Sequence, residues 1–419
     1  MIPAAARRRD NRAPELDLSA MFEHIPAFAG DPILSLNEDF QKDPRSGKIN
    51  LSIGIYFDDA GRIPVLESVQ RAEAWVAAQA GPKPYLPIEG AANFRAAVQQ
   101  LLFGAGHEAV VASRVVTIQA VGSSGGLKVG ADFLASHFAG SQVWVSDPTW
   151  DNHRSMFEGA GLRVNTYPYY DASTGGLKFE QMMATLAGLA PRSVVLLHAC
   201  CHNPTGVDLT RAQWDRLIPL LRERELLPYL DLAYQGFGDG IDADAYAVRA
   251  LASAGVSFFI ANSFSKSMSL YGERCGALSV VCPDADQASR VLGQLKFTVR
   301  RNYSSPPIHG GQIVARVLSE PALRQLWERE LGAMRERILE MRRALHQEIS
   351  ARLPGRNFDY LVEQRGMFSY TGLSAAQVDR LREQHALYMV RSGRVCVAGL
   401  NRANVEPTAR AMAAVLGAG

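Results

Sequence analysis

A single lysine stands in a hydroxyl-rich turn, Ser263-Phe264-Ser265-Lys266-Ser267-Met268-Ser269-Leu270-Tyr271-Gly272-Glu273-Arg274, directly after the apolar run 258–261. A lysine on a solvated surface needs no such setting. One that bonds a carbonyl does, because its amine must first lose a proton, and desolvation or neighbouring cations lower its pKa. Hydroxyls and a guanidinium at a strand end also suit a phosphate dianion. Ser263, Ser265, Lys266 and Arg274 therefore read as a site for pyridoxal phosphate (PLP), with Lys266 as the aldehyde-bonding residue. The ordinary alternative is a solvated lysine in a serine-rich loop.

Four other segments carry chemistry of their own. Gly122-Ser123-Ser124-Gly125-Gly126 follows the strand-like run 115–121 and precedes a helical stretch, 127–137. Its amides and the helix N-terminus would attract an anion, although a plain strand-to-helix turn looks the same. It does not fit G-x-G-x-x-G, so no dinucleotide fold is indicated. Trp150, in Asp147-Pro148-Thr149-Trp150-Asp151-Asn152-His153, either stacks on an aromatic cofactor ring or belongs to the core.

His198-Ala199-Cys200-Cys201-His202-Asn203-Pro204-Thr205-Gly206 invites a zinc reading. It lacks a C-x-x-C pair, and adjacent cysteines on an extended strand would face opposite ways, so no metal is expected. Asn203-Pro204 opens a turn in which Asn203 could hold a phenolate-like oxygen. Asp231, in Asp231-Leu232-Ala233-Tyr234, ends an apolar run. Buried there, it needs a cationic partner, and a protonated pyridine nitrogen is one.

These segments require a scaffold that brings strand ends together. The short runs 115–121, 143–146, 193–199, 227–232, 258–261 and 277–282 end in turn residues and alternate with helical patterns. They predict an α/β protein with a mostly parallel, doubly covered sheet, which binds ligands at the strands' C-terminal edge. From 320 to 352 the spacing of Leu323, Trp327, Leu331, Met334, Ile338, Met341 and Leu345 predicts one long amphipathic helix bridging two domains. The runs 387–390 and 395–398 and a closing helix predict a smaller α/β domain, joined by the N-terminal segment.

At 419 residues, 47% of them hydrophobic and 21% charged, the chain can bury a large core. Its net charge of +2 (44 basic, 42 acidic) gives no electrostatic case for nucleic acid. No run of 18 apolar residues occurs, so no membrane span is expected. Five scattered cysteines, Cys200, Cys201, Cys275, Cys282 and Cys396, fit reduced thiols and a cytoplasmic location. The first 20 residues hold Arg7-Arg8-Arg9 but no apolar signal core. Early acidic residues argue against a transit peptide and for a disordered extension.

With these motifs in order, the chain from Met21 onward resembles the fold-type I, class I aminotransferases of the aspartate/aromatic family. The matching residues are Gly122-Ser123-Ser124-Gly125, Trp150, 202–206, Asp231 with Tyr234, Ser263-Phe264-Ser265-Lys266 with Arg274, 300–307, and Ser392-Gly393-Arg394-Val395. The resemblance implies a large domain with a mostly parallel seven-stranded sheet (64–333) and a smaller α/β domain (21–63 and 334–419). Lys266 would carry the Schiff base and move the proton between Cα and C4′. Asp231, backed by His153, would bind the pyridine nitrogen, and Asn203 and Tyr234 the 3′-oxygen. Trp150 would stack on the ring. Ser123, Ser124, Gly125, Ser263, Ser265 and Arg274 would surround the phosphate. Arg394 would clamp the substrate α-carboxylate with help from Gly54 and Asn203. In an implied homodimer, Tyr85 would reach the neighbour's phosphate, and Arg300 the distal carboxylate of glutamate or aspartate. Ser123 stands where many relatives have a glycine.

Amino acids and 2-oxo acids are thus the implied substrates, with no nucleic-acid or membrane partner. Ile55, Phe57, Ile63, Pro84, Ser124 and Ser305 resemble the aromatic branch of the family, and the implied donors are tyrosine and phenylalanine, with aspartate as a further one. A plain aspartate aminotransferase is the alternative. A PLP-fold regulator would need an upstream DNA-binding module that 20 residues cannot form.

Overall fold

The computed structural model describes residues 21–417 except 29 and 80. The extension expected over 1–20 lies outside the described residues. Within them, β1 (Ile49–Asn50) belongs to the N-terminal segment. β2 (Val115–Val121), β3 (Val143–Asp147) and β4 (Val164–Pro168) follow, then the small pair β5 (Tyr170–Asp171) and β6 (Gly176–Leu177). β7 (Val194–His198), β8 (Leu227–Leu232), β9 (Phe258–Ser263) and β10 (Cys275–Val281) come next. β11 (Phe368–Tyr370), β12 (Leu387–Tyr388) and β13 (Arg394–Cys396) lie near the C-terminus.

Seven of these strands form one sheet in the order β2-β10-β9-β8-β7-β3-β4. β10 is antiparallel to both its neighbours, and the other recorded pairings are parallel. Alternate side chains enter two apolar layers: Val194 and Leu196 face one, Val195 and Leu197 the other. Both faces are covered by helices, which is why these strands read as unbroken apolar runs. β4, missing from the six expected runs, is an edge strand. Only Val164 and Tyr167 of Val-Asn-Thr-Tyr-Pro are buried, so its sequence carries little apolar signal.

A second correction concerns the glycine turn. The helix expected over 127–137 spans Gly122–His137, so Gly122-Ser123-Ser124-Gly125-Gly126 forms its first turns. Gly122 has φ +67°, which lets the chain pass straight from β2 into the helix. The runs expected at 387–390 and 395–398 shrink to β12 and β13. After β13, residues Val397–Gly399 turn into a short 3-10 helix.

The long helix is Pro321–Arg352, about 48 Å of unbroken α-helix at 1.5 Å per residue. The boundary expected between 333 and 334 falls inside it. Its Glu330 accepts from the Ser68 amide of the helix Glu67–Ala78 at 3.2 Å, and its Arg352 pairs with Glu406 of the helix Val405–Gly417 at 2.6 Å. β1 pairs in parallel with β12, Ile49 opposite Leu387, and this joins the N-terminal segment to the C-terminal part. β11 and β13 pair antiparallel, Tyr370 opposite Arg394. No described helix is long and apolar enough to cross a membrane.

One bond ties this helix to the lysine turn. Trp327, 1% exposed, donates its Nε1 hydrogen to the Ser267 carbonyl at 2.7 Å. Trp327→Phe strands that buried carbonyl, and we expect a stability loss of about 1–3 kcal/mol, read as a shifted urea midpoint.

Candidate active site

The ends of β2, β7, β8 and β9, and the start of the antiparallel β10, meet at one edge of the sheet. There a cavity of about 250 Å³ is lined by residues from every chemical segment of the sequence. Ser123, Ser124, Ser263, Ser265 and Arg274 form its hydroxyl-rich part, and Asp231, Trp150, Lys266, Asn203, Tyr234, Gly54 and Arg394 line the rest.

The hydroxyl end is built around Arg274, which sits at φ +53°. Its Nη1 donates to Ser265 Oγ at 3.2 Å and to the Tyr271 carbonyl at 3.1 Å, while the Ser265 amide donates to Ser263 Oγ at 3.1 Å. The Gly122 amide donates to the Arg274 carbonyl at 2.8 Å. A Cβ on Gly122 would stand 2.6 Å from Arg274 Nη2, so only glycine leaves room for the guanidinium. Serine hydroxyls, a guanidinium and the first amides of the helix Gly122–His137 together form an anion cradle.

Asp231 is 3% exposed. Its Oδ2 meets His153 Nε2 at 3.1 Å, and His153 Nδ1 meets Thr149 Oγ1 at 2.8 Å. Its Oδ1 is buried without a partner. Burial raises the pKa of this carboxyl, but the His153 hydrogen bond and the nearby positive charge of Lys266 help to outweigh it, so the net shift is downward. An ionised carboxylate with one free oxygen is what a protonated ring nitrogen would seek.

Burial lowers the Lys266 amine to about 8, against the opposing pull of Asp231. Its Nζ lies 5.0 Å from the Tyr234 ring centroid. The Tyr234 hydroxyl is pushed upward by burial and by the Asp231 charge, so it stays a protonated donor.

Arg394 is 4% exposed. Nη2 donates to the Ser52 carbonyl at 2.6 Å and Nη1 to Asn203 Oδ1 at 3.3 Å, Nε has no partner, and the guanidinium lies 4.5 Å from the Phe368 ring centroid. No carboxylate lies within ion-pair distance of it among the described residues. A buried cation left so is costly unless an anion arrives.

Four expected residues stand elsewhere. His153 lies behind Asp231, and Gly125 packs on Val121 in the first helical turns, 3.1 Å from that side chain to where its own Cβ would be. Tyr85 is 94% exposed and Arg300 is also exposed, its Nη1 bonded to Ser304 Oγ; neither lines this chain's cavity. Conversely, Phe368, Ile33 and Tyr271 line the cavity without having been assigned a role. Tyr271 lay inside the lysine window and accepts from the Tyr56 amide at 2.9 Å. Phe368 and Ile33 are apolar residues, and only distant chain pairing makes them walls.

The zinc argument needs one correction. Cys200 and Cys201 lie just beyond β7, and Cys201 has φ +52°, so their thiols do not diverge. Both sulfurs and an Asp244 oxygen lie within 4.8 Å of one another. Asp244 is already committed to the amides of Gly236, Gly238 and Asp239. A hydrogen bond to the neighbouring Cys201 thiol and burial hold Cys200 far above the ordinary thiol value, and burial lifts Cys201 to about 12.

The lowered Lys266 pKa can be read directly. In protein freed of any cofactor, acylation of Lys266 followed by peptide mass spectrometry should rise with pH through a midpoint of about 8. Exposed lysines should do so near ~10.4.

The comparisons with known proteins agree with this geometry. Residues 46–412 match the model of the family "Aminotransferase class I and II". The chain is 59% identical over 397 residues to the aromatic-amino-acid aminotransferase of Escherichia coli K12, covering 94% of this chain and 100% of that one. It is 50% identical to an aspartate aminotransferase of Pseudomonas aeruginosa over 397 residues, 95% of this chain and 100% of that one. An aromatic-amino-acid aminotransferase from Burkholderia pseudomallei, solved covalently bound to pyridoxal phosphate, superposes with a TM-score of 0.93 at 51% identity, over 94% of this chain and 99% of that one. The architecture is that of the fold-type I enzymes, and this chain belongs to the class I and II aminotransferases.

Proposed function

We propose that the protein is a PLP-dependent aromatic-amino-acid aminotransferase, which passes the amino group of tyrosine or phenylalanine to 2-oxoglutarate in two half-reactions, with aspartate as a further donor. The observation that carries this is Lys266, its amine brought down to about 8 by burial, in one cavity with the unpartnered Oδ1 of Asp231. The residues fit the cofactor at each point. Ser123, Ser124, Ser263, Ser265 and Arg274, with the Gly125 amide, would hold the phosphate. Asp231, oriented by His153, would hold the ring nitrogen. Asn203 and Tyr234 would hold the 3′-oxygen, and Trp150 would cover the ring face.

When bound, pyridoxal phosphate supplies an electron sink for the charge that develops at the substrate's Cα. The chain does the rest. Asp231, held ionised, would favour the protonated form of the ring nitrogen. Lys266 Nζ would hold the cofactor's aldehyde carbon and, once free, would be the base placed to move the proton at the substrate's Cα. Arg394, with Gly54 and Asn203, grips the α-carboxylate and so decides which Cα bond faces Lys266. Phe368 and Tyr234 keep water from that side.

In the homodimer we propose, Tyr85 reaches the partner subunit's phosphate and Arg300 the distal carboxylate of 2-oxoglutarate. Their exposure supports this, as does the exposure of Ile63, Val65, Trp75 and Phe297. Five free, buried cysteines support a cytoplasmic location. The aromatic preference is supported by the greater identity to the aromatic relative.

The test is single-turnover absorbance of the holoenzyme mixed separately with L-phenylalanine, L-tyrosine and L-aspartate. The aromatics should discharge the cofactor band at least as fast as aspartate. Fast discharge by aspartate alone would make it an aspartate aminotransferase. Arg394→Lys, which loses the bidentate grip, should lower kcat/KM about a hundredfold for every donor.

A further inference from the structure

The long helix carries one cation into the core. Arg342 is 1% exposed, and no carboxylate lies within ion-pair distance of it among the described residues. Its guanidinium donates instead to four oxygens. Nη1 reaches the Leu361 carbonyl at 2.9 Å and Ser369 Oγ at 2.7 Å; Nη2 reaches the Gly366 carbonyl at 2.8 Å and the Phe368 carbonyl at 2.6 Å. Burial lowers it only to about 10, so it stays charged. A buried cation without a counter-ion is an expensive way to join a helix to a strand, and an apolar side chain of similar volume would do it at less cost.

What the cation holds explains the choice. Three of its four acceptors lie in 366–369, the turn and strand that present Phe368. The Phe368 ring supports the Arg394 guanidinium at 4.5 Å and meets the Tyr234 ring edge-on at 5.7 Å. It also passes 2.9 Å from where a Cβ on Gly54 would stand. The strand bearing Phe368 pairs with the strand bearing Arg394. The loop after β7 presses on the same backbone: a Cβ on Gly206 would stand 2.5 Å from the Phe368 carbonyl, and the Arg365 amide donates to the Gly206 carbonyl at 2.7 Å. Phe368 has no polar atom with which to fix its own height, so its backbone must be fixed for it.

We propose that Arg342 is a positioning residue for the substrate carboxylate site. By gripping the backbone of 366–369 from the long helix, it sets the ring on which the Arg394 guanidinium rests. This rests on the reading of Arg394 as the carboxylate clamp.

The test compares Arg342→Met and Arg342→Lys with Arg337→Met, all as folded holoenzymes. Arg337 ties the same helix to Asp59 at 3.1 Å and to the Leu400 carbonyl at 2.6 Å without touching 366–369. Arg342→Met should raise KM for both L-phenylalanine and 2-oxoglutarate about tenfold, with kcat within about threefold, because the α-carboxylate is common to both. Arg342→Lys should fall between it and the wild type. The Kd of 3-phenylpropionate, which has a carboxylate and no amine, should rise in the same ratio. Arg337→Met should lower the melting temperature and leave these constants alone. If Arg342→Met lowers the melting temperature but leaves both KM values and the inhibitor Kd unchanged, the residue is a scaffold tie and the proposal is overturned. If that variant does not fold, Ser369→Ala decides, since it removes one acceptor: a rise in inhibitor Kd supports the proposal and an unchanged Kd overturns it. An Arg394→Lys variant with wild-type KM would instead overturn the reading of the clamp itself.

Discussion

Two buried charges face one cavity, and each keeps one polar atom without a partner. Asp231 keeps a free carboxylate oxygen at the end of β8, and Arg394 keeps a guanidinium with no acidic partner at the start of β13. Left to itself, each would cost several kcal/mol, and a chain selected for stability alone would pair or replace them. Their persistence makes sense only if the protein is completed by molecules carrying the opposite charges. Much else in the structure holds these two groups apart and in register. His153 and Thr149 steady the carboxylate, and Ser52, Asn203 and Phe368 steady the guanidinium.

The sheet meets that requirement by geometry. Parallel strands place successive loops at one edge, so a serine turn, a lysine turn and an aspartate far apart in sequence become neighbours. β10 runs against the others and brings Arg274 back to the same edge from the opposite direction. The Arg394 side belongs to a different layer, built from the N-terminal segment and the C-terminal strands. The long helix, anchored through Trp327 on one side and Arg342 on the other, is one of the ties that relate the two layers.

The histidine- and cysteine-rich segment after β7 shows how composition can mislead. Burial pushes His198 down to about 3 and holds His202 well below the usual imidazole value, so both imidazoles are neutral. His202 bonds Ser146 and Thr205 and stacks on Tyr169 with ring centroids 4.1 Å apart. Asp208 accepts the Cys201 and His202 amides and so fixes the approach to Asn203. These residues shape the loop that carries Asn203.

By itself the sequence determined the chemistry and the repeating scaffold. Lys266, Asp231 and Arg274 announce themselves because charged residues beside apolar runs must be buried or used, whereas Arg394 is found only through its family motif. The central strands announce themselves because burial on both faces demands unbroken apolar runs, and the long helix because its apolar positions keep one period over 32 residues. What only the tertiary structure decided is everything that depends on where distant segments meet. β4 is half polar because it lies at the sheet edge, so its sequence gave no warning. The helix starting at Gly122 depends on one positive φ and on the Arg274 guanidinium packed against it. Phe368, Ile33 and Arg342 carry no local signal of a site, because an apolar wall or a buried cation acquires its meaning only from what stands on its other side.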